Sequence, residues 1–114
     1  MTTPQLVELR IYHIKAGYRE EFVDLFQQQA RPAQEAYGMK VLGPLLDLEN
    51  PNLVIWLRSF PPPDDRDRIR EDFYEGPEWT SGLEELLMPL LDHYSVVLAQ
   101  TTPGALEGSL NHES

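Results

Sequence analysis

Six segments of this sequence switch between two hydrophobic periods, and the order of the switches is the strongest constraint on what the chain can become. Val7 to Ile14 alternates with period two, Val7, Leu9 and Ile11 on one face and Glu8, Arg10 and Tyr12 on the other. After Gly17, apolar residues recur at helical spacing through Tyr18, Phe22, Val23, Phe26, Ala30, Ala33 and Tyr37, and Gly38 closes the pattern. Pro32 lacks a backbone donor, so a kink or break is expected near Gln29 to Arg31. Met39 to Leu48 and Leu53 to Phe60 read as two strands, with a turn at Glu49 to Asn52. The run PPPDDRDR, Pro61 to Arg68, reads as a stiff connection whose charges are solvated and cap a helix. That helical region extends from Asp67 to about Leu91, interrupted at Gly76-Pro77, with Trp79, Leu83, Leu86, Leu87 and Leu90 as its buried stripe. His93 to Gln100 is the last strand.

The resulting order, β-α-β-β-α-β, is the split pattern of the α+β, ferredoxin-like class. Such a chain forms a four-stranded antiparallel sheet in the order 4-1-3-2 with both helices on one face. Residues 1–101 make the single domain, and residues 102–114, small and polar, are expected to be a mobile or partner-embracing tail.

The register follows from the turn. Leu48 opposite Leu53 places Leu46 opposite Ile55, Leu45 opposite Trp56 and Gly43 opposite Arg58. Leu42, Leu46, Leu48, Leu53, Ile55 and Leu57 then form a face that the helices are expected to cover, together with Val7, Leu9 and Ile11. Glu8 pairs with Arg58, an ion pair, and Arg10 with Trp56, a cation–π contact. The remaining face mixes Val41, Leu45, Trp56, Phe60 and Tyr12 with Glu8, Arg10 and Arg58. A patch this apolar is seldom left in water, so a second copy should cover it, closing a homodimeric α/β barrel whose cavity the two sheets wall.

Composition narrows the chemistry. The 114 residues suffice for one core, and a large cavity is expected to need a second chain. Nineteen acidic against nine basic residues, a formal charge of -10, disfavour nucleic acid and anionic membranes. No cysteine occurs, which excludes disulfides and thiolate metal sites. MTTPQL has neither the basic nor the apolar region of a secretion signal, so a cytoplasmic, non-membrane protein is expected.

Several blocks resemble the NIPSNAP family of the dimeric α/β-barrel superfamily: ELRIYHIKAGYREEF (Glu8 to Phe22), YGMKVLG (Tyr37 to Gly43), NLVIWLRSF (Asn52 to Phe60) and GPEW with the leucine-rich helix behind it. The likeness runs from about residue 5 to 100. KAG departs from the family's proline before the glycine, and GPEW from its aspartate before the proline. The resemblance implies a homodimer and supplies no reaction, since the wider superfamily spans cofactor-free monooxygenases, isomerases, cyclases and haem enzymes.

The candidate site is drawn from the mixed face. Arg10, Tyr12 and His93 are the candidate catalytic groups, and Glu8, Arg10, Tyr12, Gly43, Trp56 and Arg58 the candidate ligand contacts. Arg10, stacked on Trp56, can present a planar donor fork to a carboxylate or enolate, and Tyr12 can donate a proton. His93 faces this cavity if Val96 and Leu98 face the helices, whereas His13 shares the parity of Leu9 and is expected at the core rim. No histidine pair has metal spacing, and no nucleophile elbow, phosphate loop or HExxH is present, so neither metal nor cofactor is assigned. Two readings follow. One is a small enzyme that binds an apolar oxygenated molecule, such as an aromatic acid, and performs proton transfer or cofactor-free oxidation. The other is a non-catalytic dimeric ligand-binding or interaction module. Empty space behind Gly43, Trp56 and Tyr12 distinguishes them.

Overall fold

The structure, a computed structural model, describes residues 5–60 and 66–102. The expected tail at 102–114 falls almost wholly outside these residues. Strand β1 is Gln5–Ile14, two residues longer at its start than the alternation indicates. Helices α1 (Arg19–Leu25) and α2 (Arg31–Ala36) follow, joined by a π-helical turn at Phe26–Ala30. Strands β2 (Lys40–Leu46) and β3 (Leu53–Ser59) form the hairpin. Helix α3 (Arg66–Glu75) leads through a π turn at Trp79–Leu83 to α4 (Glu84–Leu87), a 3₁₀ turn at Met88–Leu90 and β4 (Leu91–Thr101). The sheet order is β2-β3-β1-β4, and every pairing is antiparallel.

Pro32 does not break the first helix. The chain widens by one residue at Phe26–Ala30, where the Arg31 amide reaches back to the Phe26 carbonyl, and then continues into α2 with proline in its first turn. The widened turn keeps Phe22, Phe26 and Ala30 on the buried side.

The main correction concerns which face the helices cover. The expected partition of β1 and β3 is right, and their pairing is as derived: Glu8 opposite Arg58, Arg10 opposite Trp56. The helices, however, lie on the mixed face. Glu8 is 0%, Val54 0%, Arg58 1% and Trp56 3% exposed, whereas Leu9, Ile11, Ile55 and Leu57 are only half-buried. Alternation says which residues share a face; it is the handedness of the β1-to-β2 crossover that says which face receives the helices. Phe22, Phe26, Phe73, Leu83, Leu87 and Leu90 therefore pack on Trp56 and Val41, while Leu86 points outward.

The β2 register is a second correction. Val41 faces Arg58, Leu42 faces Leu57, and Leu45 faces Ile55, in place of the expected Gly43–Arg58, Leu45–Trp56 and Leu46–Ile55 pairs. The connection spans Asp47 to Asn52, held by Asp47 Oδ1 accepting the Glu49 amide at 2.8 Å and by Arg19 Nη1 donating to the carbonyls of Asp47, Asn50 and Leu53. The ladder also shifts between Leu42 and Leu45, where Gly43 has a φ of +106°. A Cβ there would lie 3.2 Å from Trp56 Cβ and 3.3 Å from the Ile55 carbonyl oxygen. Gly43→Ala should therefore lower stability by ~1–3 kcal/mol in urea titration, from left-handed strain and close contact together. A loss below ~0.5 kcal/mol, the range of an ordinary surface change, would show that this approach is not tight.

Candidate functional site

Period-two parity puts Glu8, Arg10 and Tyr12 side by side on β1, and antiparallel pairing puts Trp56 and Arg58 beside them. Covering this face with helices takes their charges out of water, so each needs a partner. Glu8 supplies it. Its Oε1 accepts from Arg58 Nε at 2.7 Å and from Arg10 Nη1, and its Oε2 accepts from Arg66 Nε at 2.9 Å. Arg70 Nε stands 3.4 Å from the same Oε2. Four of the chain's seven arginines thus converge on one carboxylate. Arg58 Nη1 also donates to Gln34 Oε1 at 2.7 Å, and Gln34 Nε2 donates to the Ala30 carbonyl, which ties the cluster to the first helix.

Aromatic rings fill the space around these cations. Arg10 Cζ lies 5.3 Å from the Trp56 ring centroid and 5.7 Å from those of Tyr12 and Tyr94, and Arg58 lies 5.5 Å from Tyr74. Arg10 Nε donates to the Tyr12 hydroxyl at 3.1 Å. Beside this stack opens a cleft of about 360 Å³, between β1, β4 and the α3–α4 region, whose walls include Arg10, Tyr12, Arg70, Trp79 and Tyr94. A smaller recess of about 30 Å³ lies next to it and shares Tyr12, Tyr74, Trp79 and Met88 with it. Arg10 and Tyr12 thus line a cleft on the helix-covered side of one chain, not the space between two facing sheets in which they were expected. Trp79, expected in the core, is a half-buried cleft wall.

The electrostatics follow from this crowding. Burial alone pushes the Glu8 carboxyl up, but the charges of Arg58 and Arg10 outweigh it and hold it below its ordinary value of 4.5. Burial works against the Arg10 charge as well, yet Tyr12, Tyr74 and Glu8 raise its pKa further. Burial raises the Tyr12 phenol above its ordinary 10.0, against the pull of Arg10. Tyr12 is therefore a neutral hydrogen-bond donor near neutrality. Arg58 Nη2, Arg70 Nε and Trp56 Nε1 are buried and make no hydrogen bond among the described residues.

Of the residues singled out from sequence, Glu8, Arg10, Tyr12, Trp56 and Arg58 come together. Gly43 does not join them: it abuts the Trp56 backbone, and its carbonyl accepts from Arg31 Nη1 at 2.9 Å. His93 does not either. Val96 and Leu98 do share the helix-covered side with Arg10 and Glu8, so His93 lies on the bare face, stacked on His13 with centroids 4.0 Å apart. Arg66, Arg70, Tyr74, Gln34 and Tyr94 are the members that sequence reasoning missed. Arg66, from the run read as solvated, and Arg70, just beyond it, turn inward, while Asp67 and Arg68 stay outside. Their four-residue spacing, in step with Ile69 and Phe73, is the signal that marks an inward face. Among the described residues no group of three or more His, Cys, Asp and Glu side chains could hold a metal ion, and no helix is long and apolar enough to cross a membrane.

Residues 7–95 match the NIPSNAP family model. A Burkholderia xenovorans NIPSNAP domain protein, uncharacterised, superposes with a TM-score of 0.72 at 25% identity, covering 82% of this chain and 91% of that one. An Agrobacterium tumefaciens NIPSNAP family protein of unknown function gives 0.74 at 19% identity, covering 86% and 88%. A Nitrosomonas europaea protein provisionally described as an antibiotic biosynthesis monooxygenase gives 0.66 at 9% identity, covering 83% and 88%, a likeness of fold alone. No curated protein matches the chain.

Removing the shared carboxylate should be costly. Glu8→Gln leaves the arginines without their counter-charge and should lower stability by roughly 3–5 kcal/mol. The pH dependence has a definite sign. Because folding depresses the Glu8 pKa below 4.5, its contribution is fully present above that ordinary value and is lost as pH falls through the lower, folded value. Denaturation midpoints measured from pH 7 to pH 3 should fall more steeply in the wild type than in Glu8→Gln. Parallel curves would mean that Glu8 is not the acid-sensitive group.

Proposed function

This chain belongs to the NIPSNAP family, and we propose that it binds a small apolar or aromatic organic acid in the cleft beside Arg10 and Tyr12, as a homodimer joined through its bare sheet face. The observation that carries the reading is the excess, among the described residues, of guanidinium groups over carboxylate at an aromatic-walled cleft. Four arginines share Glu8, and two of them, Arg10 and Arg70, line the cleft. A planar donor fork backed by Trp56 suits a carboxylate or an enolate, and the rings and Met88 suit an apolar body.

The same groups can support chemistry. The Tyr12 hydroxyl accepts from Arg10 Nε, which leaves its own proton for a ligand oxygen. An enolate formed there would be stabilised by Arg10, as proton transfer or cofactor-free oxidation of an activated carbon requires. A non-catalytic binding module is the second reading, and the position of His93 on the opposite face favours it, because no histidine among the described residues lines the cleft.

The dimer rests on the other face. Leu9, Ile11, Leu42, Ile55 and Leu57 make an aliphatic strip bordered by exposed Leu45 and by Val97, which is 50% exposed. A monomer seldom leaves such a strip in water. The partner surface is thus aliphatic, not the mixed face expected at first. The lack of cysteine supports a cytoplasmic location.

For the site, calorimetric titration of benzoate should give measurable affinity in the wild type and weaker affinity in Arg10→Lys, which keeps the charge and loses the fork. Once a turned-over acid is known, Tyr12→Phe should reduce turnover with little change in affinity if Tyr12 is the proton donor, and change neither if it is a wall. Unchanged benzoate affinity in Arg10→Lys would rule out the Arg10 anchor. For the assembly, sedimentation should give a dimer burying more than ~1,200 Å², and Val97→Arg should yield a folded monomer. A wild type that sediments as a monomer at micromolar concentration would end the dimer proposal.

A further inference from the structure

Next to the cleft lies a neutral donor that the Glu8 cluster does not engage. Trp56 is 3% exposed, and its indole Nε1 is buried and makes no hydrogen bond among the described residues. A buried N–H without an acceptor is uncommon in a folded protein, because it forfeits its bond to water. Arg10 stands over the ring, with Cζ 5.3 Å from the centroid, so it meets the π face and leaves the in-plane N–H free. The Tyr12 and Phe26 rings that stand edge-on to Trp56 offer at most a weak N–H···π contact.

Trp56 lines the smaller recess and not the cleft, whereas Arg10 lines the cleft and not the recess. The two spaces adjoin along Tyr12, Tyr74, Trp79 and Met88. At about 30 Å³ the recess has room for one small group, since a water-sized occupant needs ~10–15 Å³. Much of its wall is carbon, from Phe22, Phe26, Leu87 and Leu91, which disfavours a charge there. Its polar members are engaged elsewhere. Gln34 Oε1 accepts from Arg58 Nη1 at 2.7 Å and Gln34 Nε2 donates to the Ala30 carbonyl at 3.2 Å, while the Tyr12 hydroxyl accepts from Arg10 Nε. What suits Trp56 is therefore an acceptor that is small, uncharged and attached to carbon. A carbonyl or ether oxygen meets all three conditions, whereas a hydroxyl brings a proton that needs an acceptor of its own.

We infer that the ligand of this site is a monoacid that also carries a ketone or ether oxygen: its carboxylate meets Arg10 in the cleft, and a short arm enters the recess, where its oxygen accepts from Trp56 Nε1. This rests on the acid-binding cleft proposed above and goes beyond it in naming a second functional group and the residue that reads it. Trp56 is then a specificity residue. A hydrocarbon arm of the same shape fills the recess equally well but leaves the indole unpaired, and that difference is what discriminates the two.

The experiment follows the full chain, isotopically labelled, by proton–nitrogen NMR. Its two tryptophans, Trp56 and Trp79, give two indole N–H signals, and the spectrum of Trp79→Phe identifies which belongs to Trp56. Benzoate is titrated beside isosteric pairs, acetyl- against isopropylbenzoate and methoxy- against ethylbenzoate, as meta and para isomers. In at least one pair the oxygenated acid should bind about three- to tenfold more tightly, the net size of one neutral hydrogen bond, and it alone should move the Trp56 indole proton downfield. Trp56→Phe should abolish the preference. That variant loses packing as well as the donor, so the spectra of the unaltered chain decide the matter if it does not fold. Equal binding within every pair, or the same downfield shift with benzoate as with the oxygenated acids, would overturn the oxygen inference while leaving an acid-binding cleft. So would an indole proton already downfield in the free protein and unmoved by any ligand, the mark of a resident water as its acceptor. Failure of every acid to bind, benzoate included, would overturn the cleft reading as well.

Discussion

The Glu8 carboxylate joins more of this fold than any other side chain. It receives Arg10 from its own strand, Arg58 from β3, and Arg66 and Arg70 from α3, and through Arg58 and Gln34 it reaches the first helix. The sheet and both helical regions therefore meet at one buried charge. Such a node is not a simple gain in stability. Taking these ions out of water costs several kcal/mol each in order of magnitude, and Coulomb attraction recovers it only where geometry is good. What the node does is make alternatives expensive. A slip of β1 by one residue would turn Glu8 outward and leave Arg58 buried alone. The charges thus specify the pairing that the apolar residues tolerate.

The same node explains what was legible beforehand. Parity and complementary chemistry were enough to pair Glu8 with Arg58 and Arg10 with Trp56, because both follow from strand alternation and from what the side chains can satisfy. The covered face was not legible, because a set of polar residues with aromatic neighbours looks like surface until Arg66 and Arg70 are known to arrive from outside the sheet. Arg66 was hidden in a charge run whose other described members, Asp67 and Arg68, are indeed exposed, and Arg70 follows just beyond it. The β2 register was lost for a different reason. It depended on a turn length and on the backbone at Gly43, and neither leaves a mark in hydrophobic period. His93 shows both sides of this: its parity relative to Val96 and Leu98 was correct, and its distance from the site follows once the covered face is known.

The helices also depart from regular geometry where they meet the site. Two π turns, Phe26–Ala30 and Trp79–Leu83, flank the smaller recess, and each contributes an aromatic side chain to its lining. The first absorbs Pro32, whose missing amide would otherwise break the ladder in mid-helix. The second follows the turn at Gly76, where a Cβ would collide with the Tyr37 hydroxyl that donates to Glu78 at 2.6 Å. An extra residue per turn rotates the apolar stripe, and here it lets Phe26 meet Trp56 at 4.8 Å and Trp79 meet Tyr74 at 5.1 Å. Local irregularity in the backbone thus packs Phe26 and Trp79 against Trp56 and Tyr74, two of the rings that stand over the cations.

The proposed acid-binding cleft has to be reconciled with a formal charge of -10, and the range of electrostatic forces does so. At physiological salt, charges farther apart than about 8 Å are largely screened, so an anion near the surface meets mostly the exposed carboxylates. A polyanion such as nucleic acid spans many of them at once and is repelled. A small organic anion that has entered the cleft is in another situation. It lies within reach of Arg10 and Arg70, in a space partly closed to water, where the same charges interact several-fold more strongly than at the surface. An acidic exterior and an arginine-lined cleft are therefore compatible in one chain, because the exposed carboxylates act on large anions and the buried guanidiniums act only on what fits the cleft.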